Sequence, residues 1–351
     1  MHSFQRHPVE TIDLAAIVDE FDLSWEKLRN QTVCITGAAG FLPSYMVETM
    51  LYLNETRQFG IQVLAVGRNR AGLSKRFAHH SQRPDLICIE QDISRPFKLV
   101  EKPDYIIHAA SQASPKYYST DPVGTLSANT IGTAALLELA RTSKSKGFLY
   151  FSSSEVYGQP AHIPTNETDF GVIDPTNVRA CYAESKRMGE NMCVSWEHQY
   201  GVPVKIVRPF HTYGPRMQLD DGRVYADFVA SILRNKPIVL TSDGLATRAF
   251  CYSADAVAGF WKVLLEGESG ESYNIGNPEG EISMRALGAL LTGLYPEKQL
   301  TVSYVNRKAG DTYMPSDIMR GCPDIGKAAA LGWKPRTTLT DGFRRTIESY
   351  L

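Results

Sequence analysis

The chain has 351 residues, of which 43% are hydrophobic and 21% are charged, and its formal net charge at pH 7 is −1. A chain of this length buries a sizeable core and has room for two domains. The nearly balanced charge gives no reason to expect nucleic acid or an anionic membrane as a partner. We find no basic-then-apolar leader and no apolar run of ~18 residues, so neither export nor a membrane anchor is expected.

The six cysteines show neither CxxC spacing nor the framework of a small secreted domain. We therefore expect reduced thiols in a cytoplasmic protein.

Residues 1–31 form an N-terminal extension in which 12–18 and 25–28 have the pattern of short amphipathic helices. We expect this extension to pack on the main body or on a neighbouring subunit, and it carries no recognisable chemistry.

From residue 32 onward, strand-like and helical segments alternate. Apolar runs of strand type lie at residues 33–36, 63–66, 86–89, 105–108, 148–151 and 204–207. They are separated by helical stretches such as 130–141 and 180–200. This alternation predicts an α/β fold with a doubly wound parallel sheet and helices on both faces.

After Arg208 the pattern changes to short segments punctuated by proline and glycine. These segments indicate a smaller C-terminal α/β domain for the substrate. The predicted bounds are 32–208 plus about 255–276 for the sheet domain, and about 209–254 plus 277–351 for the substrate domain.

A glycine-containing turn joins the first strand to a helical stretch at residues 44–53. Gly37 and Gly40 follow the apolar run, as in the phosphate loop of a Rossmann-type dinucleotide site, where backbone amides and a helix N-terminus face a pyrophosphate. Pro43 stands where a third glycine is usual, and proline is tolerated in the first turn of a helix. We interpret the segment as a variant phosphate loop; an ordinary β–turn–α connection is the alternative.

Tyr182 and Lys186 are four residues apart on a predicted helix, so their side chains lie on the same face. A free phenol ionises near pH ~10, and a neighbouring ammonium lowers that pKa enough for the phenolate to act as a base. Ser153 would hydrogen-bond the same substrate hydroxyl. A tyrosine–lysine pair alone is most often a solvated helix face, but the phosphate loop favours the catalytic interpretation.

These residues resemble the extended short-chain dehydrogenase/reductase superfamily, and within its nucleotide-sugar branch the UDP-glucuronate decarboxylases are most similar. The matching strings, which span roughly residues 32–351, lie at 113–118, 129–133, 154–158, 179–182, 213–217, 221–224, 247–250 and 331–333. Nucleotide-sugar 4-epimerases and 4,6-dehydratases share many of these strings and stay as alternatives. A non-catalytic dinucleotide-binding regulator is a remote third, since Ser153, Tyr182 and Lys186 are intact.

The resemblance implies NAD as the cofactor. The residues expected to bind it are Gly37, Ala39, Gly40, Phe41, Leu42, Arg68, Asp92, Ile93, Ala109, Ala110, Ser111, Asn129, Ser152, Tyr182, Lys186, Pro209 and His211. An acidic residue that binds the adenosine ribose is expected after the second strand, but Arg68 and Arg70 stand there instead. They leave NADP open through a 2′-phosphate contact, and stacking of Arg68 on the adenine is the alternative.

The resemblance also implies a reaction. Tyr182 takes the proton of the 4′-hydroxyl while a hydride leaves C4′ for the nicotinamide, and the resulting β-keto acid loses CO2. The expected catalytic residues are Tyr182, Lys186, Ser153, Glu155 and Arg320. Glu155 favours decarboxylation, and Ser154 stands where dehydratases carry an acid. Arg320 is one residue off the usual spacing of the arginine that helps to protonate C5′.

The expected substrate is a nucleotide-diphosphate sugar, because arginines suit diphosphate recognition. The candidate substrate residues are Tyr118, Glu155, Arg216, Arg223, Arg248 and Asp311. His211 replaces an asparagine of the family pattern, which leaves the identity of the sugar open. We expect no metal, because no histidine cluster suited to one is evident. Helices 130–141 and 180–200 resemble the pair that forms an intersubunit four-helix bundle, so a homodimer is expected.

Overall fold

A computed structural model describes residues 6–96, 99, 101–305 and 318–351 of the chain. The strands are β1 (Thr32–Thr36), β2 (Gln62–Gly67), β3 (Leu86–Glu90), β4 (Tyr105–His108), β5 (Gly147–Phe151), β6 (Val204–Pro209), β7 (His211–Tyr213), β8 (Ile238–Leu240), β9 (Thr247–Tyr252), β10 (Ser272–Ile275), β11 (Glu281–Ser283), β12 (Val302–Tyr304) and β13 (Arg320–Gly321). The α-helices are α1 (Pro8–Asp19), α2 (Phe41–Arg57), α3 (Arg70–Arg76), α4 (Pro115–Thr120), α5 (Pro122–Ser143), α6 (Cys181–Tyr200), α7 (Val224–Leu233), α8 (Ser253–Glu266), α9 (Met284–Gly293), α10 (Gly326–Ala330) and α11 (Leu339–Glu348).

A seven-stranded parallel sheet organises the fold, in the order β10-β6-β5-β4-β1-β2-β3. Its central strands β4 and β5 are buried along their whole length. Such continuous apolar strands belong to parallel sheets whose two faces are both covered by helices. Successive strands are added on one side of β1 as far as β3 and then on its other side from β4 to β10, and open α/β sheets bind their ligands at such a switch point. The predicted Rossmann-type fold is confirmed.

Helix α5 is longer than its sequence pattern predicted, since it begins at Pro122 rather than at residue 130. Pro122 lies in the first helical turn, and the side chain of Asp121 accepts a hydrogen bond from the Gly124 N–H. Further along α5, a Cβ on Gly132 would lie only 2.6 Å from Ile93. The glycine therefore lets α5 pack closely against the segment that follows β3.

The residues after β6 contribute two smaller sheets. In one, β9 pairs with β7, β11 and β13, and in the other β8 pairs with β12. Strand β10 and helix α8 return to the main sheet, where β10 pairs with β6 and α8 packs on β5 and β6. The domain bounds given above stay a prediction.

The N-terminal extension folds onto the body of the same chain. Helix α1 packs against α2 and α8, with Leu14 and Ile17 fully buried. A short 3₁₀ helix, Trp25–Leu28, then places the ring of Trp25 edge-on against Trp261 at 5.6 Å.

All six cysteines are free thiols. Within the described ranges no helix is long and apolar enough to cross a membrane.

Candidate active site

A cavity of about 1190 Å³ opens at the carboxyl ends of the central strands. Its walls include the residues that directly follow β1, β2, β4 and β5, together with residues from the two smaller sheets. Ligands bind at this edge of doubly wound sheets because the strand ends diverge there into separate loops. The volume and the position are those of a site for large ligands.

The turn after β1 is built for a ligand that comes close to the backbone. Gly37 has φ 69°, and a Cβ at this position would lie 2.7 Å from Cα of Ala110. Helix α2 begins at Phe41 behind Gly40, which has no side chain to cap the helix. The first N–H groups of a helix lack intrahelical partners and attract anions. The turn therefore has the form that a pyrophosphate requires.

Most of the expected cofactor residues line the cavity. They are Gly37, Ala39, Gly40, Phe41, Leu42, Arg68, Asp92, Ile93, Ala109, Ala110, Ser111, Ser152, Tyr182, Lys186, Pro209 and His211. Among the described residues, Ser111 Oγ, Ser152 Oγ and His211 Nδ1 are buried polar atoms without a hydrogen-bond partner. Such atoms are stabilised when a bound polar group satisfies them, so the wall fits a dinucleotide such as NAD.

Two expected cofactor residues lie elsewhere. Asn129 is fully buried and donates a hydrogen bond of 2.9 Å to Ser185 Oγ, so it joins α5 to α6 instead of lining the cavity. Arg70, one of the two candidates for a 2′-phosphate contact, starts α3 and does not line the cavity, whereas Arg68 does. Of these two arginines, only Arg68 could therefore contact the 2′-phosphate of NADP.

Tyr182 and Lys186 lie on α6 beside the end of β5. The ring of Tyr182 stacks on Tyr118, with centroids 5.1 Å apart and planes inclined by 18°. Lys186 Nζ lies 5.8 Å from the centroid of the Tyr182 ring and donates a hydrogen bond of 2.6 Å to the carbonyl of Phe151. All three side chains are buried, so the sheet fixes the lysine beside the phenol.

The protonation of this pair differs from the sequence expectation. Burial raises the pKa of Tyr182 to about 12, although a hydrogen bond with Ser153 and the charge of Arg223 act in the opposite direction. Burial likewise lowers the pKa of Lys186 to about 7. Both shifts have one cause, because removing a group from water disfavours its charged form. Lys186 lies beside Tyr182, as the spacing predicted, but it does not lower the pKa of the phenol below its ordinary value.

Glu155 lines the cavity and is paired with Arg179 at 3.2 Å. The guanidinium carbon of Arg179 also lies 5.9 Å from the centroid of the Tyr118 ring. Sequence reasoning noticed Arg179 only as part of a matched string and gave it no role. Arg179 lies in a short 3₁₀ helix, Val178–Ala180, directly before α6, and its place beside Tyr182 in the string 179–182 was the available signal.

Three of the arginines expected at the site, Arg223, Arg248 and Arg320, line the cavity. Arg223 donates to the Tyr225 hydroxyl at 3.1 Å and to the carbonyl of Ala113 at 3.3 Å. Arg248 donates to the carbonyls of Thr247 and Ile318, both at 2.7 Å. Arg320 pairs with Glu281 at 2.7 Å and is half exposed. Tyr118 completes this wall.

Arg216 does not line the cavity, contrary to the expectation of a substrate contact. Its side chain is 9% exposed and forms ion pairs with Glu10 at 2.7 Å and with Glu48 at 3.0 Å. These carboxylates occupy the guanidinium fork that would have bound a diphosphate. Asp311 lies outside the described residues.

Contrary to the expectation that no metal-type cluster exists, the described ranges contain one, formed by Glu48, His79 and His80. Its ligand atoms lie within 4.8 Å of one another. Burial raises the pKa of Glu48, but hydrogen bonds from the two histidines and the charge of Arg216 outweigh it and hold the pKa well below its usual range. Because Arg6 and Arg216 also bind this carboxylate, at 2.7 and 3.0 Å, a further cation is electrostatically disfavoured.

Comparison with known proteins places this geometry in a family. The sequence pattern of the NAD dependent epimerase/dehydratase family matches residues 33–276. The chain is 36% identical to UDP-glucuronic acid decarboxylase 6 of Arabidopsis thaliana over 322 residues, which is 92% of this chain and 89% of the relative. It is 34% identical to UDP-glucuronic acid decarboxylase 1 of Danio rerio, over 93% of this chain and 73% of the relative.

A solved structure has the same fold. The UDP-glucose 4-epimerase of Thermotoga maritima, solved with UDP-glucose, superposes with a TM-score of 0.76 and 26% identity, over 91% of this chain and 98% of that one. The protein is an enzyme, and by its sequence pattern and its fold the chain belongs to the NAD dependent epimerase/dehydratase family.

Proposed function

We propose that this enzyme decarboxylates a nucleotide-linked uronic acid, in the manner of the conversion of UDP-glucuronate to UDP-xylose, through a 4-keto intermediate. The observation that carries the proposal is the carboxylate of Glu155 on the same cavity wall as Tyr182, held there by Arg179. The relatives named as UDP-glucuronic acid decarboxylases support it, since they align along more than nine-tenths of the chain.

In the proposed reaction, the Tyr182 phenolate accepts the proton of the sugar 4-hydroxyl. The charge of Arg223 and a hydrogen bond from Ser153 favour this phenolate, and Lys186 Nζ lies 5.8 Å from the centroid of its ring. NAD, when bound, supplies the acceptor that takes the hydride from C4 and later returns it. The C4 carbonyl then accepts the electron pair of the C5–C6 bond as that bond breaks and CO2 leaves.

Glu155 and Arg179 would meet the carboxylate of the sugar as an ion pair. Arg179 compensates the charge of Glu155, so a negatively charged substrate is not simply repelled when it binds. Once CO2 has left, C5 needs a proton from a group on the wall or from water. Arg320 lies on the rim of the cavity, but its guanidinium already pairs with Glu281, so we place it as an orienting cation near C5.

The test is to incubate the enzyme and NAD with a panel of nucleotide-linked hexoses and uronic acids and to identify products by mass spectrometry. We expect a product from UDP-glucuronate that is lighter by the mass of CO2. Glu155→Ala should suppress this loss while NAD binding persists, and Glu297→Ala on the exposed surface is the matched control. A nucleotide sugar that is epimerised or dehydrated, with glucuronates untouched, would favour the alternative 4-epimerase or 4,6-dehydratase activity.

We also propose that the enzyme is a homodimer formed through α5 and α6. The two helices pack on each other and carry large apolar side chains on their outer surface. Val123 is 70% exposed, Ile131 54% and Met188 52%. Apolar groups of this size gain free energy when they are removed from water by a second copy.

A further inference from the structure

Arg216 is the centre of a buried ionic network that joins the N-terminal extension to the body of the enzyme. Glu10 of α1 binds its guanidinium through two hydrogen bonds of 2.7 Å, and Glu48 of α2 lies at 3.0 Å. The backbone of Arg216 has φ 67°, which is unfavourable for a residue other than glycine. The two carboxylates therefore hold the loop in a conformation that its own sequence does not favour.

The loop that contains Arg216, residues 214–223, forms part of the cavity wall. Met217 and Gln218, directly after Arg216, line the cavity, as do Asp221 and Arg223. The side chain of Arg223 reaches from this loop to the carbonyl of Ala113, in the segment between β4 and α4. A shift of the backbone at Arg216 would therefore move side chains that face the cavity.

A second arginine connects this loop to the phosphate loop. Arg76 of α3 donates a hydrogen bond of 3.0 Å to the carbonyl of Ala39 and one of 3.4 Å to the carbonyl of Arg216. Ala39 lies between the two glycines of the phosphate loop and lines the cavity. Arg76 thus ties the loop of the cofactor side to the loop of the substrate side.

Helix α1 is itself held firmly from both sides of the molecule. Asp13, one turn after Glu10, is fully buried and accepts hydrogen bonds from the hydroxyls of Tyr45 at 3.0 Å and Tyr252 at 2.7 Å. Tyr45 belongs to α2, which follows the phosphate loop, and Tyr252 ends β9 in one of the smaller sheets. Glu10 is therefore presented to Arg216 from a fixed support.

We infer that Glu10 and Arg216 are positioning residues, through which the N-terminal extension sets the relative placement of loop 214–223 and the phosphate loop. The matched family pattern begins at residue 33, so Glu10 precedes it. The identity of the ligand rests on the proposed function: the loop would be positioned for the nucleoside diphosphate of the substrate and the phosphate loop for the dinucleotide.

The experiment compares Glu10→Ala, Glu10→Gln, Arg216→Ala and Arg216→Lys in the full-length enzyme. The control is Glu26→Ala, which removes an exposed ion pair with Arg29 in the same extension. Binding of UDP and of NAD is measured by calorimetry, KM and kcat for UDP-glucuronate by kinetics, and the melting temperature by calorimetric scanning. Glu10→Gln retains the shape of the side chain and serves if Glu10→Ala does not fold.

We expect Glu10→Ala and Arg216→Ala to weaken UDP binding and to raise KM by about 10-fold, as for the loss of a hydrogen bond between charged groups, with kcat changed by less than about 3-fold. Arg216→Lys should restore part of the affinity. The double variant Glu10→Ala/Arg216→Ala should bind UDP no more weakly than Arg216→Ala alone, because the two residues act through one contact. Glu26→Ala should bind as the wild type does.

A lower melting temperature with wild-type affinity for UDP and NAD in both alanine variants would overturn the inference, since the network would then only stabilise the fold. Failure of the proposed function gives a different result. Wild-type enzyme would bind UDP and NAD yet release no CO2 from UDP-glucuronate, while the loss of binding in Glu10→Ala would still be seen.

Discussion

The rings of Tyr118 and Tyr182 stack in the cavity with their centroids 5.1 Å apart. The Tyr118 hydroxyl donates a hydrogen bond of 3.1 Å to the carbonyl of Ala113, and we propose the Tyr182 phenol as the base. Tyr182→Phe retains the stack and removes the base. We expect activity to fall by at least ~100-fold, the lower end for a positioned acid–base group, with NAD binding retained. Tyr118→Phe is the matched control for the stack, and near-normal turnover in Tyr182→Phe would contradict the role.

The pH dependence of the reaction should depend on Ser153. Its hydrogen bond lowers the pKa of Tyr182, which burial raises to about 12. Ser153→Ala therefore raises that pKa further, so the rising limb of the pH profile of kcat/KM moves to higher pH, and activity at neutral pH falls by at least ~10-fold. Ser119→Ala, an exposed serine of α4, is the control. A limb that stays in place would show that Tyr182 is not the titrating base.

The sequence was sufficient for the sheet and for most of the cavity wall, because both follow from local patterns. An apolar run such as 148–151 identifies a strand, and Gly37 directly after β1 identifies the turn that needs a close backbone approach. The ion-pair partners of Arg216 could not be predicted from local patterns. Glu10 lies 206 residues away along the chain, and only the folded α1 brings its carboxylate to the guanidinium.

The shifted pKa values of Tyr182 and Lys186 could not be predicted from local sequence patterns, for a related reason. Spacing on α6 placed Lys186 beside Tyr182 correctly, but the pKa of each group is set by how much water the whole fold excludes. Likewise, His79 and His80 are neighbours in sequence, whereas Glu48 reaches them from α2 only in the folded chain.

Asp13 should make the stability of the fold depend on pH. Burial raises its pKa from 3.8 to about 6, against the lowering effect of hydrogen bonds from Tyr252 and Tyr45. Between these two values the folded chain holds a proton that the unfolded chain has released, so the free energy of unfolding falls as pH rises from about 4 to 6.

Asp13→Asn removes this titration. Relative to wild type, the variant should gain up to about 3 kcal/mol in the free energy of unfolding between pH 4 and pH 7, as followed by urea denaturation at a series of pH values. Asp19→Asn, an exposed position at the end of the same helix, is the control. A constant difference between Asp13→Asn and wild type across this range would exclude Asp13 as the titrating group.

Arg68 should decide how the enzyme distinguishes NADP from NAD. It is exposed at the end of β2 and lines the cavity, while Arg70 does not. If Arg68 contacts a 2′-phosphate, Arg68→Ala weakens NADP binding by about 10-fold or more and leaves NAD binding within about 3-fold, since a charge-assisted hydrogen bond is lost only with NADP. Arg70→Ala is the control, and equal weakening of both dinucleotides would instead indicate stacking on the adenine.

The proposed dimer gives the last prediction. Light scattering at micromolar concentration should show a particle of twice the chain mass, and Ile131→Arg should shift it to the monomer. Ile131 is 54% exposed on α5, and a guanidinium there would have to lose its hydration to enter an apolar interface between two copies. Val239→Arg replaces a β-branched apolar residue of similar exposure, 49%, on β8 outside α5 and α6, and should leave the particle unchanged. A wild-type monomer would show that the two helices only cover the sheet.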